Sequence, residues 1–209
     1  MSQASLHLLF ATPLWLAPWA QAEVHNPVLL ATVRALQQQQ AGAVVSNVGG
    51  WHSTGNLFTL DIPAVRELHG YILAQLGHLL GELEPGSKGS QQQATLTGWA
   101  NVLPPGGYHK LHHHPGQHWS GCYYLMVPPT EPDSQAGRLE LLDPRSGADQ
   151  LPQPGQFFSP SATVTAQAGL LVLFPAWLNH MVHPHNGPGE RIAIAFNIHL
   201  EEAMGAGKA

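Results

Sequence analysis

The chain has 209 residues, which is enough for one sizeable hydrophobic core and short for two. Its formal net charge is −5 and it has only eight lysine and arginine residues, which argues against nucleic acid as the main partner because binding phosphates requires a basic surface. Its one cysteine excludes an internal disulfide bond and fits a reducing compartment, so we expect a cytoplasmic protein.

The N-terminal segment LHLLFATPLWLAPWAQA has the apolar character of a secretory signal. However, no lysine or arginine precedes Arg34, and Pro13 and Pro18 interrupt the apolar run, so a signal peptide is not the favoured interpretation. No stretch reaches the roughly 18 uninterrupted apolar residues that span a bilayer, and we expect no association with membranes. The residues from His7 to Trp15 are instead predicted to form an opening strand.

Two helices are predicted to form most of the segment of about 1–90. The first begins at Asn26 and Pro27, an N-cap residue followed by a proline whose missing N–H is not needed there. The second begins near Asp61 and Pro63. Apolar side chains recur at helical spacing in both: Leu29, Leu30, Val33 and Leu36, then Val65, Leu68, Ile72, Leu76 and Leu79. Between them, SNVGGWHSTG is expected to be a loop at the rim of a binding site, because loops that carry large aromatic residues often have this role.

From residue 94 onward the sequence indicates only strands and turns. Clusters of glycine and proline separate the strand-like segments, as expected of a sandwich or barrel. These segments are ATLTGWANVL, HWSGCYYLMV, GRLELLD, QFFSP, ATVTAQAGLLVLFPA and RIAIAFNIHL. The pattern predicts a mainly β protein, a single domain over 1–209, with a β-core at about 94–200 and the two helices packed on one face of it.

A histidine cluster lies in HKLHHHPGQH, where five of the chain's 14 histidines fall within ten positions. Alternate side chains of a strand share a face, so His112 and His114 should point into the barrel together while His113 points away. His180, after an apolar strand, offers a third ligand, and Arg191 follows some eleven residues later. Three imidazoles on one face of an octahedral ion leave three positions open for a chelating substrate and dioxygen.

Solvated or purely structural histidines are the simpler interpretation, since a short His-rich tract is only compositional evidence. His109, His118, His183 and His185 are assigned to that simpler class, and His113 is expected either to be exposed or to lie next to the metal ligands. The metal site is favoured by the combination of two strand histidines with a third and a downstream arginine.

The chain resembles the 2-oxoglutarate- and Fe(II)-dependent oxygenase superfamily, and more narrowly a group of bacterial and phage oxygenases of about this length. The segments that carry the resemblance are LFATPLW, SNVGGWHS, GWANVLPPGGYHKLHHHPGQHWSGCYYL, GRLELLDPR and LVLFPAWLNHMVHPHNGPGERIAIAFN. The resemblance implies a double-stranded β-helix, the jelly roll also found in cupins, with iron at one mouth.

The resemblance also implies a reaction. Fe(II) would be held by His112, His114 and His180, and 2-oxoglutarate would chelate it while Arg191 pairs with the C5 carboxylate, which a planar guanidinium can bind through two hydrogen bonds. Dioxygen would take the last position, and the substrate would be hydroxylated with release of succinate and carbon dioxide. The sequence does not identify the substrate, whether a small molecule or a peptidyl side chain, and it leaves a homodimer open.

Two further residues are candidates for binding the cosubstrate. Tyr124, followed by Leu125, matches a superfamily tyrosine that also reaches the distal carboxylate. Asn101, on the strand before the histidine cluster, is a candidate polar contact to cosubstrate or substrate, and a structural hydrogen bond is an equal alternative for it.

One position departs from the superfamily pattern. His114 stands where the usual His-x-Asp motif has its aspartate, so the ligand set is one negative charge poorer, and a changed metal preference is expected. Glu140 or Asp143 is the alternative source of a carboxylate, although neither lies where the motif's ligand lies. Asp143 is rather expected to serve a turn ahead of Pro144.

Two other functions are compatible with the same histidines. A cupin-like metal enzyme with a three-histidine site would not use 2-oxoglutarate, and a jelly roll could bind a metal or small ligand without catalysis. Arg191, placed after the His-x-Val-x-Pro sequence that begins at His180, argues against the first of these.

Overall fold

The computed structural model describes residues 9–85, 93–131, 134–147 and 159–201. Most of the described chain after the second helix is β-strand. In chain order the elements are β1 (Trp15–Pro18), α1 (Ala22–Gln39), β2 (Asn47–Val48), β3 (Trp51–His52), a 3-10 helix (Leu57–Thr59), α2 (Pro63–Leu83), β4 (Ala94–Leu103), β5 (Tyr108–His112), β6 (Trp119–Met126), β7 (Leu139–Leu142), β8 (Ser161–Val164), β9 (Leu170–Pro175), β10 (His180–Val182) and β11 (Arg191–Leu200).

The strands form two antiparallel sheets. The larger sheet has the order β1-β9-β6-β11-β4-β3, and the smaller has the order β2-β5-β10-β7-β8. β11 is central to the larger sheet, because it pairs with β4 along its whole length and with β6 on its other side. Strands that follow one another in the chain repeatedly change sheet, which gives the double-stranded β-helix expected from the sequence.

Alternation along β11 separates the helix-facing side of the larger sheet from its inner side. The side chains of Ile192, Ile194, Phe196 and Ile198 are fully buried in one apolar cluster with the inward faces of α1 and α2. Each buried side chain of this size contributes on the order of 2 kcal/mol. The helices therefore close one face of the sheet firmly, as predicted, and the opposite face is left to line a cavity.

The first helix begins earlier than predicted. α1 starts at Ala22, so Asn26 lies inside the helix and is not its N-cap. The Oδ1 atom of Asn26 instead accepts a hydrogen bond from the Tyr123 hydroxyl at 2.6 Å, which ties the helix to β6. The second helix begins at Pro63, as expected. In the described part of the chain, neither helix has the length and hydrophobicity that crossing a bilayer would need.

The strand predictions succeed for the long strands and fail in two places. The opening strand is wrong for residues 9–14, because β1 starts only at Trp15 and pairs with β9. The segment 162–176 forms two strands, with Gly169 at the break in a left-handed conformation (φ +85°) that favours glycine. Most of the predicted strand QFFSP lies outside the described residues.

The segment SNVGGWHSTG passes from one sheet to the other. β2 belongs to the smaller sheet and β3 to the larger, and only Gly49 and Gly50 separate them. A Cβ atom on Gly50 would lie 2.5 Å from Leu103 Cδ2 and 2.8 Å from the Val102 carbonyl oxygen, so the chain can cross here only with a glycine. This crossing holds Ser46 and His52 beside the cavity between the sheets.

Candidate metal centre and cosubstrate cavity

Three histidines meet in the cavity between the two sheets. His112 ends β5, His114 follows two residues later, and His180 begins β10. Their ring centroids lie 4.3 to 5.1 Å apart, and one ring nitrogen of each lies within 4.8 Å of the other two. The structure therefore brings together the three histidines named from the sequence, at a spacing that a single metal ion can bridge.

Strand pairing sets the positions of His112 and His180 in the cluster. His112 lies directly opposite His180 in the β5–β10 pair. His114 lies beyond the end of β5, where its backbone N–H donates to the Ala176 carbonyl oxygen at 2.9 Å. His114 is partly buried there, whereas His113 is exposed and lies at the rim of the cavity.

Backbone carbonyls orient two of the three rings. The Nδ1 atom of His112 lies 2.7 Å from the Lys110 carbonyl oxygen, and that of His180 lies 2.8 Å from the Leu178 carbonyl oxygen. Since a carbonyl only accepts, each Nδ1 carries the proton, and each Nε2 presents a lone pair. Metal-binding histidines typically have their second nitrogen fixed in this way.

Burial keeps these imidazoles neutral. Burial, the largest effect on each, and the neighbouring histidines together lower the pKa of His180 to about 3 and that of His114 to about 4. Burial also lowers the pKa of His112, against a smaller opposing effect of its hydrogen bond to Lys110. Neutral imidazole is the form that coordinates a metal, so near pH 7 no proton must be displaced.

The two candidate carboxylates lie elsewhere. Glu140 accepts hydrogen bonds from Ser161 at 2.5 Å and from His183 at 2.7 Å. Asp143 accepts from the backbone N–H and the guanidinium of Arg145, which is the turn role expected of it. In the ranges that the structure describes, neither acid belongs to the histidine cluster or lines the cavity, so the assembled donor set is three imidazoles.

The cavity has a volume of about 540 Å³, within the range of small-molecule sites. Both sheets contribute to its wall. Besides the three clustered histidines, its lining includes His52, Trp99, Asn101, His109, Ser120, Cys122, Phe174, Arg191 and Asn197. The lining residues on β11 alternate with those that face the helices, so the cavity lies on the inner side of the larger sheet.

Arg191 is a buried charged residue in the wall of the cavity. Its side chain is only 3% exposed, and its guanidinium carbon lies 4.9 Å from the centroid of the Tyr124 ring. Within the described residues no acidic side chain pairs with Arg191, and its Nε atom has no hydrogen-bond partner. A buried cation without an anion is costly, so this position fits the carboxylate of a ligand.

Comparison with known proteins identifies the β-core. A family model described as "Putative 2OG-Fe(II) oxygenase" matches residues 97–197, a range that includes the histidine cluster and Arg191. Residues 97–197 form a 2OG-Fe(II) oxygenase domain. The family uses Fe(II) and 2-oxoglutarate, so the donor set and the buried arginine of the cavity have the chemistry that these two ligands need.

Several solved structures have a fold similar to that of this chain. A prolyl-4-hydroxylase from Pseudomonas putida is 16% identical, with a TM-score of 0.62 over 93% of this chain and 96% of that chain. A prolyl hydroxylase from Trichoplax adhaerens is 16% identical, with a TM-score of 0.58 over 89% of this chain and 83% of that chain. HygX from Streptomyces hygroscopicus, with nickel and 2-oxoglutarate bound, is 13% identical, with a TM-score of 0.61 over 90% and 83%. No curated protein sequence matches.

The two other residues predicted to contact the cosubstrate occupy different positions in the oxygenase domain. Asn101 is 5% exposed and lines the cavity, and its Oδ1 atom has no hydrogen-bond partner among the described residues. Tyr124 is fully buried and packs against Arg191, but it is not part of the cavity lining. Its hydroxyl oxygen has no hydrogen-bond partner among the described residues, so a contact from Tyr124 to the cosubstrate stays a prediction.

One histidine outside the predicted ligand set also lines the cavity. His109 was placed with the solvated or structural histidines, yet it lines the cavity and is 6% exposed. His118 is exposed, as expected, while His183 bonds to Glu140 and His185 is fully buried against the Leu103 carbonyl. No local pattern would have found His109, because a break in the strand register turns it inward.

Proposed function

We propose that this chain is a 2-oxoglutarate- and Fe(II)-dependent dioxygenase that hydroxylates its substrate in the cavity between the sheets. His112, His114 and His180 hold the iron, and Arg191 binds the C5 carboxylate of 2-oxoglutarate. The observation that carries the proposal is a buried arginine, with no anionic partner in the described chain, on the wall of the cavity that holds three neutral histidines.

The chain's own residues bind and orient the reactants. The three imidazoles would hold the iron, and Arg191 would bind the far carboxylate of the cosubstrate. The ring of Phe174 lies 4.7 Å from that of His180 and would exclude water beside this ligand. When bound, Fe(II) and 2-oxoglutarate supply the oxidising chemistry, which consumes dioxygen and releases succinate and carbon dioxide.

We further propose a neutral or anionic substrate, either a small molecule or a peptidyl side chain. No acidic residue of the described chain lines the cavity, whereas Lys110 and Arg191 do. Of the similarly folded proteins, the Trichoplax hydroxylase holds a peptide fragment and HygX has been solved with hygromycin B. A single domain over 1–209, a cytoplasmic location, a homodimer and the absence of nucleic-acid or membrane partners stay predictions.

One spectroscopic experiment tests the proposed function. Purified protein is loaded with Fe(II) without oxygen, 2-oxoglutarate is added, and the weak metal-to-ligand charge-transfer band in visible light is recorded. Oxygen is then admitted and succinate is assayed. We expect both the band and succinate. Failure to bind Fe(II) would contradict the histidine site, and iron binding without either signal would contradict the use of 2-oxoglutarate.

A metal enzyme that does not use 2-oxoglutarate is the second candidate. The observation that favours it is the donor set itself, because the cluster holds three imidazoles and the described acids Glu140 and Asp143 are engaged elsewhere. It predicts iron binding with no charge-transfer band, so the same experiment distinguishes it. The buried position of Arg191 is what it leaves unexplained.

A further inference from the structure

We propose that His109 binds the cosubstrate, donating a hydrogen bond from Nε2 to an oxygen of the 2-oxo acid while Ser46 holds its ring in place. The inference rests on the proposed function, and it adds a third contact to 2-oxoglutarate besides the metal and Arg191. It starts from an irregularity of the backbone in β5.

A bulge in β5 turns His109 toward the cavity. His180 of β10 pairs with His112, but Val182, two residues later, pairs with His109, so three steps on β5 match two on β10. The extra residue interrupts the alternation of side chains. As a result His109 and His112, three positions apart, both line the cavity, whereas Lys110 and Leu111 between them are exposed at its rim.

His109 lines the same cavity as the histidine cluster and Arg191. Its ring centroid is 6.3 Å from that of His112. Burial lowers the pKa of His109 to about 3, and the guanidinium of Arg191 is the next largest influence, ahead of His112, His52 and His180. The ring is thus neutral, and it shares the cavity wall with Arg191 and the histidine cluster.

A hydrogen bond to Ser46 occupies the Nδ1 atom of His109 and leaves Nε2 for the cavity. The Ser46 Oγ atom lies 3.0 Å from His109 Nδ1. The backbone around Ser46 is fixed, because its carbonyl oxygen accepts from Lys110 N–H at 2.9 Å and the next residue, Asn47, bonds to Ala43 and Gly50. When the serine hydroxyl donates to Nδ1, the ring proton resides on Nε2, so His109 becomes a neutral donor.

A 2-oxo acid supplies the acceptor that this donor needs. Its carboxylates and keto group present oxygen atoms along the path from the metal to Arg191, and a hydrogen bond to a charged group contributes more than one between neutral groups. A neutral donor also adds no charge to a wall that already contains a buried arginine. The arrangement therefore fits cosubstrate binding better than a purely structural histidine would.

Two matched substitutions test the position of the donor. In His109→Gln the amide nitrogen falls near the place of Nε2, whereas in His109→Asn it falls near the place of Nδ1. Ser46→Ala removes only the fixing hydroxyl and leaves the buried ring intact. For each variant, Fe(II) affinity is measured first, and the dissociation constant of 2-oxoglutarate is then determined without oxygen from the charge-transfer band.

We expect His109→Asn to weaken 2-oxoglutarate binding about ten- to a hundredfold, His109→Gln to stay within about threefold, and Ser46→Ala to lie between them, all with unchanged Fe(II) affinity. Wild-type affinity in His109→Asn, or equal losses in the two His109 variants, would overturn the proposal. If His109→Asn does not fold, wild-type affinity in Ser46→Ala overturns it instead. Absence of the band in the wild type would show that the proposed function itself has failed.

Discussion

His112 and His180 lie opposite each other on β5 and β10, and each donates from Nδ1 to the carbonyl oxygen of the residue two positions before it. The same short-range hydrogen bond thus orients a ring on both strands, and the ring centroids are 4.3 Å apart. Because the backbone fixes both rings, the metal site is organised before a metal binds, and side chains nearby can be tested one at a time.

The first prediction concerns the ligands. His112→Ala, His114→Ala and His180→Ala should each abolish tight Fe(II) binding, because two imidazoles hold the ion far less firmly than three. His113→Ala is the matched control from the same run of histidines, and it should keep nearly full iron stoichiometry because its side chain is exposed. Metal analysis after anaerobic loading and desalting checks the series. An equal loss on replacing His113 would mean that the side chains are assigned to the wrong faces.

The second prediction concerns Arg191 as a cosubstrate anchor. Arg191→Ala should leave Fe(II) affinity largely unchanged and weaken 2-oxoglutarate binding by on the order of 2–5 kcal/mol, the cost of leaving a buried charge without its partner. Arg191→Lys should fall between, because an ammonium keeps the charge but not the planar pair of donors. Anaerobic titration of the charge-transfer band gives both values. Unaltered 2-oxoglutarate affinity in Arg191→Ala would remove the main support for the proposed function.

The third prediction concerns the stability of the protein without ligands. Replacing Arg191 with Met should raise the free energy of unfolding by on the order of 1–4 kcal/mol, because it removes a buried cation that has no anion in the described chain. Saturating 2-oxoglutarate and Fe(II) should reverse the order, since only the wild type gains from the bound carboxylate. Urea unfolding in both conditions provides the comparison. A destabilised ligand-free variant would indicate that Arg191 has a structural partner.

The fourth prediction concerns the position at which this chain departs from the His-x-Asp motif. His114→Asp should still bind Fe(II), because a carboxylate is a suitable ligand for this ion. Glu140→Gln and Asp143→Asn should also retain iron, since both acids bond to other residues. Iron stoichiometry of the three variants, measured beside His114→Ala, decides the ligand set. Iron loss in either amide variant would make that acid a ligand.

The fifth prediction is a pH dependence of stability. The pKa of His109 is about 3 in the folded protein, below its value of about 6.5 in an unfolded chain, so as the pH falls the unfolded state takes up the proton first. Stability due to this group is complete above about pH 6.5 and is lost below it, by roughly 2 kcal/mol at pH 5. Urea unfolding of metal-free protein at several pH values should show a shallower slope for His109→Gln.

The sequence was most informative where structure depends on local pattern. The predicted segments 94–103 and 191–200 coincide with β4 and β11, because apolar residues alternate along two central strands. The convergence of His112, His114 and His180 followed from the same alternation together with the family resemblance. Both rules depend on side-chain direction, which a regular strand fixes without reference to its neighbours.

The features that the sequence did not predict depend on contacts between distant residues. The bulge that turns His109 inward exists only because β10 pairs with β5 out of step. Asn26 lies inside α1, where its side chain bonds to Tyr123, a residue far away in the chain, and does not cap the helix. The guanidinium of Arg191 lies over the Tyr124 ring, a contact between two strands that neither sequence segment shows by itself.

The ring of Trp99 lies 5.9 Å from that of His114 and stacks on His52 at 5.4 Å. An open-shell transition-metal ion so close to an indole quenches its fluorescence. The emission intensity of Trp99 should therefore fall when a metal ion binds to the histidine cluster. Trp99→Phe should abolish the metal-dependent part of the emission while leaving that of the other five tryptophans. The intrinsic fluorescence of Trp99 can therefore be used to follow metal binding and exchange in real time, without an added chromophore and without turnover.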